Sequence, residues 1–154
     1  ALDVLRILRQ SVALCKGLAF QRHGPGIMPG SAMLIPLPDR FDAARFLRLI
    51  DIAGPSLAPT LLDQLVEDLD TSHRLFGAAL DRGDWDGLRQ ASHDLISLSG
   101  SAGADTLHDL ARSVNASARD QSLAPITAQR ARIDAELAAL IGVIRSARAG
   151  QRRW

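Results

Sequence analysis

The chain has 154 residues, a single cysteine, no tyrosine, and 18 Lys plus Arg against 17 Asp plus Glu. That length suits one domain with a real core, and the near-balance of charge excludes a globally basic nucleic-acid binder. The lone Cys15 excludes an intrachain disulfide framework and suits a reducing, cytoplasmic compartment.

Ala, Leu and Arg dominate, and no alternating β-branched run occurs, so the chain reads as all-α. In residues 1–22, Leu5, Leu8, Val12, Cys15 and Ala19 recur at helical spacing. Asp3, Arg6, Arg9 and Lys16 interrupt that stretch, so it has no apolar run of the roughly 20 residues that span a bilayer. A cleaved leader is not expected either, because no small-residue cleavage site follows. Three readings stay open: an accessory helix on the domain, an amphipathic membrane-surface helix, or an extension upstream of the domain. A role at the membrane is the less expected of these.

Residues 23–38, HGPGIMPGSAMLIPLP, are broken by Gly and Pro and read as a linker, with His23 a loop residue. The domain is expected over 39–149, followed by a basic tail, 150–154. Asp42 starts a short helix carrying Phe46, Leu49 and Ile50, and Gly54-Pro55 ends it. Ser56 is a candidate N-cap for the next helix, with Pro59 in its first turn. There Leu62, Val66, Leu69, His73, Phe76 and Leu80 alternate by three and four, as along a bundle seam. His73 at the edge of that seam reads as a locally hydrogen-bonded residue. Gly83 stops the helix and Asp84 caps the next, so these two helices must be antiparallel neighbours.

The helix after Asp84 carries Leu88, Ala91, Leu95, Leu98 and Ala102 as a buried stripe. His93 is two residues from Leu95 and so points outward, at about 100° per residue. Arg89, Gln90, Ile96, Ser97 and Gly100 lie three, four or seven residues from it and share its face. Alone, such a histidine is an ordinary surface residue. Beyond it, Gly100 to Asp105 reverses the chain, and a helix to about Asp120 turns Leu107, Leu110, Ala111, Val114 and Ala118 inward. A last helix, from about Pro125 to Ala149, carries Ile126, Ile133, Leu137, Leu140 and Ile144. The whole reads as an antiparallel up-down-up-down four-helix bundle with additional N-terminal helices. Arg145, Arg148, Arg152 and Arg153 cluster near the end without interleaved aromatics, as a solvated helix terminus does. No nucleic-acid partner is expected.

His93, Leu95, Gly103, Leu107, Leu110 and Gly83-Asp84 stand in one helical frame. In that frame the chain resembles the histidine-containing phosphotransfer (HPt) domain. Two positions depart from the family pattern: Ile96 stands where the family has a lysine, and Ser97 where it has a glycine. The resemblance implies a phosphorelay protein whose His93 carries a phosphoryl group. Its partners would be response-regulator receiver domains or a hybrid sensor kinase. Arg89, Gln90, Ile96, Ser97 and Gly100 would form the docking face. Asn115 would stand where some members carry a glutamine near the phosphorylated histidine. The chain would hold no cofactor, Mg²⁺ belonging to the partner receiver domain, and it would be a carrier rather than an autonomous kinase.

Imidazole, titrating at about pH 6.5, offers a neutral nucleophilic nitrogen to a phosphoryl donor. Ile96 cannot balance phosphate charge; Arg89, four residues before His93, could supply it. An alternative from another class is a non-catalytic helical adaptor or inhibitor that binds a receiver or kinase domain. An apolar Ile96 on an exposed face would suit either. His93 and His108 are fifteen residues apart with no carboxylate at ligand spacing, so a zinc site is not expected.

Overall fold

The structure, a computed structural model, describes residues 35–151. The amphipathic stretch 1–22, His23, most of the Gly/Pro-rich segment and the end of the basic tail lie outside the described residues. Four helices make the described fold: α1 (Ala43–Arg82), α2 (Trp85–Ala102), α3 (Asp105–Arg119) and α4 (Leu123–Gln151). Each packs on its two neighbours, α1 on α2 and α4, and α3 on α2 and α4. The turns between them are two to three residues long, which forces the up-down-up-down order read from the sequence. Among the described residues, no helix is long and apolar enough to cross a membrane.

Local chemistry sets the helix boundaries. Asp42 caps α1, its carboxylate accepting from the Arg45 amide at 2.9 Å. Asp84 caps α2 in the same way, accepting from the Gly87 amide. Gly83, in left-handed conformation, closes α1. Within α1 the short helix after Asp42 and the long one that follows meet at a kink, where Gly54 is non-helical (φ 74°, ψ 169°), so the break expected at Gly54-Pro55 is there. Helical geometry resumes at once with Pro55, whose fixed φ suits a first helical position. Ser56 is therefore inside the helix rather than its cap.

The seam of α1 also differs in register from the expectation. It runs through Leu62, Leu65, Leu69, Ser72, Phe76, Ala79 and Leu80, while Val66 and His73 are half-buried at its edge. Leu88, Leu95, Leu107, Ile126, Ile133, Leu137, Leu140 and Ile144 complete the core. Fully burying a side chain of this size contributes about 1.5–3 kcal/mol.

The bundle also takes in the end of the supposed linker. Pro38 is buried, and Ile35 and Leu37 pack on the core. The lead-in is then pinned to the turn between α2 and α3. The Asp42 amide donates to the Gly103 carbonyl at 2.7 Å, Arg45 pairs with Asp105 at 2.7 Å, and Arg40 pairs with Asp109 at 2.9 Å. Gly103 fits only as glycine: its φ is +78°, and a Cβ there would stand 2.5 Å from the Asp42 carbonyl oxygen. The Arg45 amide, donating to Asp42, holds that carboxyl below its ordinary range. The Arg40 guanidinium does the same to Asp109. Partial burial pushes Glu136 up, against the Asp39 amide that donates to it at 3.0 Å.

Candidate functional site

Helix α2 is rich in serines, and each folds its hydroxyl back onto a carbonyl of its own helix. Ser92 donates to Arg89, Ser97 to His93, Ser99 to Leu95 and Ser101 to Ser97. Serines so satisfied can be buried, and Ser92 and Ser99 are. They widen the inner face of α2 beyond the apolar stripe Leu88-Ala91-Leu95-Ala102. His93 remains outside that wider face and is exposed.

The other two histidines among the described residues are engaged. His73 Nε2 lies 2.6 Å from Asp134, which joins α1 to α4. His108 is half-buried, near Asp109 and over Gly100, where an added Cβ would meet its ring at 3.3 Å. His93 alone of the three faces no carboxylate within ion-pair distance among the described residues.

Two adjoining hollows between α2 and α3 meet at His93. One, of about 370 Å³, is lined by Asp86, Arg89, Gln90, His93, Asn115 and Arg119. The other, of about 490 Å³, is lined by His93, Ile96, His108, Arg112, Asn115 and Arg119, with Ala116. Asn115 sits at their junction. Its amide donates to the Arg89 carbonyl at 3.0 Å and to Ser92 Oγ at 2.9 Å, clasping α3 to α2 one residue from His93. Both amide protons are thus spent on α2, which makes Asn115 a brace beside the imidazole.

Of the residues named from sequence, the fold gathers His93, Arg89, Gln90, Ile96 and Asn115 around the paired hollows. It changes the part of several. Arg89 is tied to Asp86 on its own helix, so its charge is already balanced. Gln90 donates to Asp94 at 3.0 Å. Ile96 is half-buried and packs against the core, because it lies in line with Ser92 and Ser99 rather than on a polar outer face.

Gly100 is roofed by His108 and gives α3 room to approach. Ser97 lines a different groove, of about 330 Å³, on the α1 side with Asp68, Thr71, Ser72, Leu75, Asp94 and Leu98. Its hydroxyl, folded onto the His93 carbonyl, adds little bulk beside the imidazole.

Sequence reasoning missed Arg112, Arg119 and His108, which α3 contributes to the hollows. Among the described residues, no group of three His, Cys, Asp or Glu side chains stands at metal-binding range.

An outward histidine on the second helix of a four-helix bundle, with space on either side, is an arrangement that can take up and release a small group. The family model of the Hpt domain matches residues 60–143, which span the histidine helix and most of the bundle. The chain belongs to the Hpt domain family. Its fold is similar to that of a solved structure, histidine-containing phosphotransfer protein B (HptB) from Pseudomonas aeruginosa PAO1. The TM-score is 0.67 and the identity 26%, over 73% of this chain and 96% of that one. No curated protein sequence matches the chain.

This Hpt protein therefore works in histidine phosphotransfer within phosphorelay signalling, and the non-catalytic adaptor reading is not favoured. Hpt domains work with response-regulator receiver domains and kinases.

Proposed function

We propose that His93 is the phosphoryl acceptor and donor, exchanging the group with the aspartate of a receiver domain. The observation that supports this most directly is its exposure without a carboxylate partner, where His73 and His108 are engaged or half-buried. In the transfer, the lone pair of the unprotonated imidazole nitrogen forms the N–P bond. The P–O bond to the partner's aspartyl carboxyl breaks, and the carboxylate leaves with the electron pair. The ring's other nitrogen keeps its proton. Reversal returns the phosphoryl group to a second receiver domain.

The exposed side chains beside His93, Arg89, Gln90 and Ser97, form the rim on which the receiver domain docks, with Ile96 as its apolar floor. The chain supplies no cofactor, and Mg²⁺ is held by the partner, a receiver domain free or within a hybrid sensor kinase. The site of action is the cytoplasm.

Intact-mass spectrometry after incubation with phosphoramidate tests the reading. One acid-labile phosphoryl group is expected on the wild-type chain and none on His93→Gln. An equal gain on both would move the acceptor elsewhere.

A further inference from the structure

On its own helix His93 has Ile96 three residues on, which cannot balance a phosphoryl charge, and Arg89 four residues before, which is already paired with Asp86. We infer that Arg112 and Arg119 of α3 neutralise the phosphoryl group on His93 from the neighbouring helix. The inference rests on His93 being the phosphoryl carrier.

Geometry supports it first. Arg112 lies three residues before Asn115 and Arg119 four after, so each is about one turn from the brace and both share its face. Asn115 is fixed to Ser92 and to the Arg89 carbonyl, level with His93. Along α3 the two arginines thus stand on either side of the point where Asn115 meets α2 beside His93. Arg112 lies in the hollow that holds Ile96 and His108, and Arg119 lines both hollows.

Charge supports it second. Three arginines line the hollows at His93; Arg89 is paired with Asp86, whereas among the described residues neither Arg112 nor Arg119 has a carboxylate within ion-pair distance. The larger hollow has no carboxylate in its lining, and the one carboxylate in the smaller, Asp86, is taken by Arg89. A phosphoryl group brings a charge of roughly −1.5 to −2 and three acceptor oxygens. Two guanidiniums with free N–H forks match it in sign and in hydrogen-bonding geometry.

The test follows phosphoryl gain from phosphoramidate by intact mass over time, at low and high salt. It compares the full chain with R112Q/R119Q, R112K/R119K and His93→Gln, with circular dichroism to check folding. R112Q/R119Q is expected to take up the group roughly tenfold more slowly or worse, as loss of charge-assisted hydrogen bonds implies. Its rate should also lose most of the salt dependence that the wild-type rate shows. R112K/R119K should recover much of both, which a merely structural role would not produce. If the double glutamine variant fails to fold, R112Q and R119Q singly carry the same comparison. A folded glutamine variant with wild-type rate and salt dependence would overturn this inference alone. No His93-dependent gain on the wild-type chain would overturn the carrier reading, and this inference with it.

Discussion

Along the α1–α4 side of the bundle, four cross-helix pairs run in antiparallel order. Asp63 meets Arg148 at 2.9 Å, Asp70 meets Arg145 at 3.6 Å, His73 meets Asp134 at 2.6 Å, and Asp81 meets Arg130 at 3.0 Å. Between α2 and α3 there is no such ladder among the described residues: a neutral brace, Asn115, joins the helices, and Arg112 and Arg119 stand beside it without carboxylates. Each pair of the ladder contributes about 0–1 kcal/mol, so stability alone does not distinguish the two arrangements. Availability does. A cation already facing a carboxylate has little to offer an incoming anion, whereas one left in water in an open hollow keeps its N–H groups free. The α1–α4 side is closed by its own charges, and on the α2–α3 side the proposed phosphoryl group would complete the pairing.

That contrast depends on one frame holding both sides, and the frame is tied at Gly103. Gly103→Ala should have the largest effect of any change considered. It places a side chain at positive φ and 2.5 Å from the Asp42 carbonyl oxygen, so the lead-in must separate from the α2–α3 turn. A loss of about 2–4 kcal/mol in urea unfolding is expected, combining left-handed strain with overpacking. Wild-type stability would show that the two sides are not held from this point.

A second change converts the open side into the closed kind. Ala116 is exposed in the larger hollow, four residues after Arg112 and three before Arg119. Ala116→Glu puts a carboxylate within reach of both guanidiniums. Phosphoryl uptake should fall by several-fold to roughly tenfold, while unfolding free energy moves by only about 0.2–0.5 kcal/mol. An unchanged uptake rate would break the comparison, because pairing would then not govern what the hollow can do.

The elements that were legible in the sequence are those governed by one helix at a time. Asp42, Gly83 and Asp84 punctuate the chain where their side chains or backbone freedom are needed, and the stripe of α2 turns His93 outward by simple rotation. The partial burial of Ile96 is not legible in the sequence, because Ser92 and Ser99 count as polar until their hydroxyls are seen bonded to their own helix. With those serines inside, a residue four after one and three before the other must flank the core. Arg112 and Arg119 escaped notice for a different reason: which face of α3 meets α2 is a matter of packing between helices. A signal was present, since His108, Arg112, Asn115 and Arg119 recur at spacings of four, three and four as a polar stripe opposite the apolar one. The register of α1 needed tertiary information too, because Leu62 and Leu69 fit either choice of intervening residues.

The smallest expected effect lies at the end of the bundle, in neither the ladder nor the hollow, and it shows where acid acts. Asp42 and Asp109 are held below their ordinary pKa, by the Arg45 amide and the Arg40 guanidinium respectively. A carboxyl depressed in the folded state stabilises it above the unfolded pKa, and that contribution is lost as pH falls through the folded value. Stability should therefore decline as pH drops from about 4, the ordinary Asp range, toward the lower folded values. Glu136, raised by burial, works in the opposite sense: near and just above its ordinary pKa, its protonation on acidification favours the folded chain. The decline should thus begin only below the range where Glu136 takes up its proton. Urea midpoints across pH 2.5–6 for the wild type and for Asp42→Asn/Asp109→Asn measure this, since asparagine retains the N-cap while removing the charge. A shallower acid limb in the variant is expected, and identical limbs would show that carboxylates elsewhere, the α1–α4 ladder among them, carry the acid response.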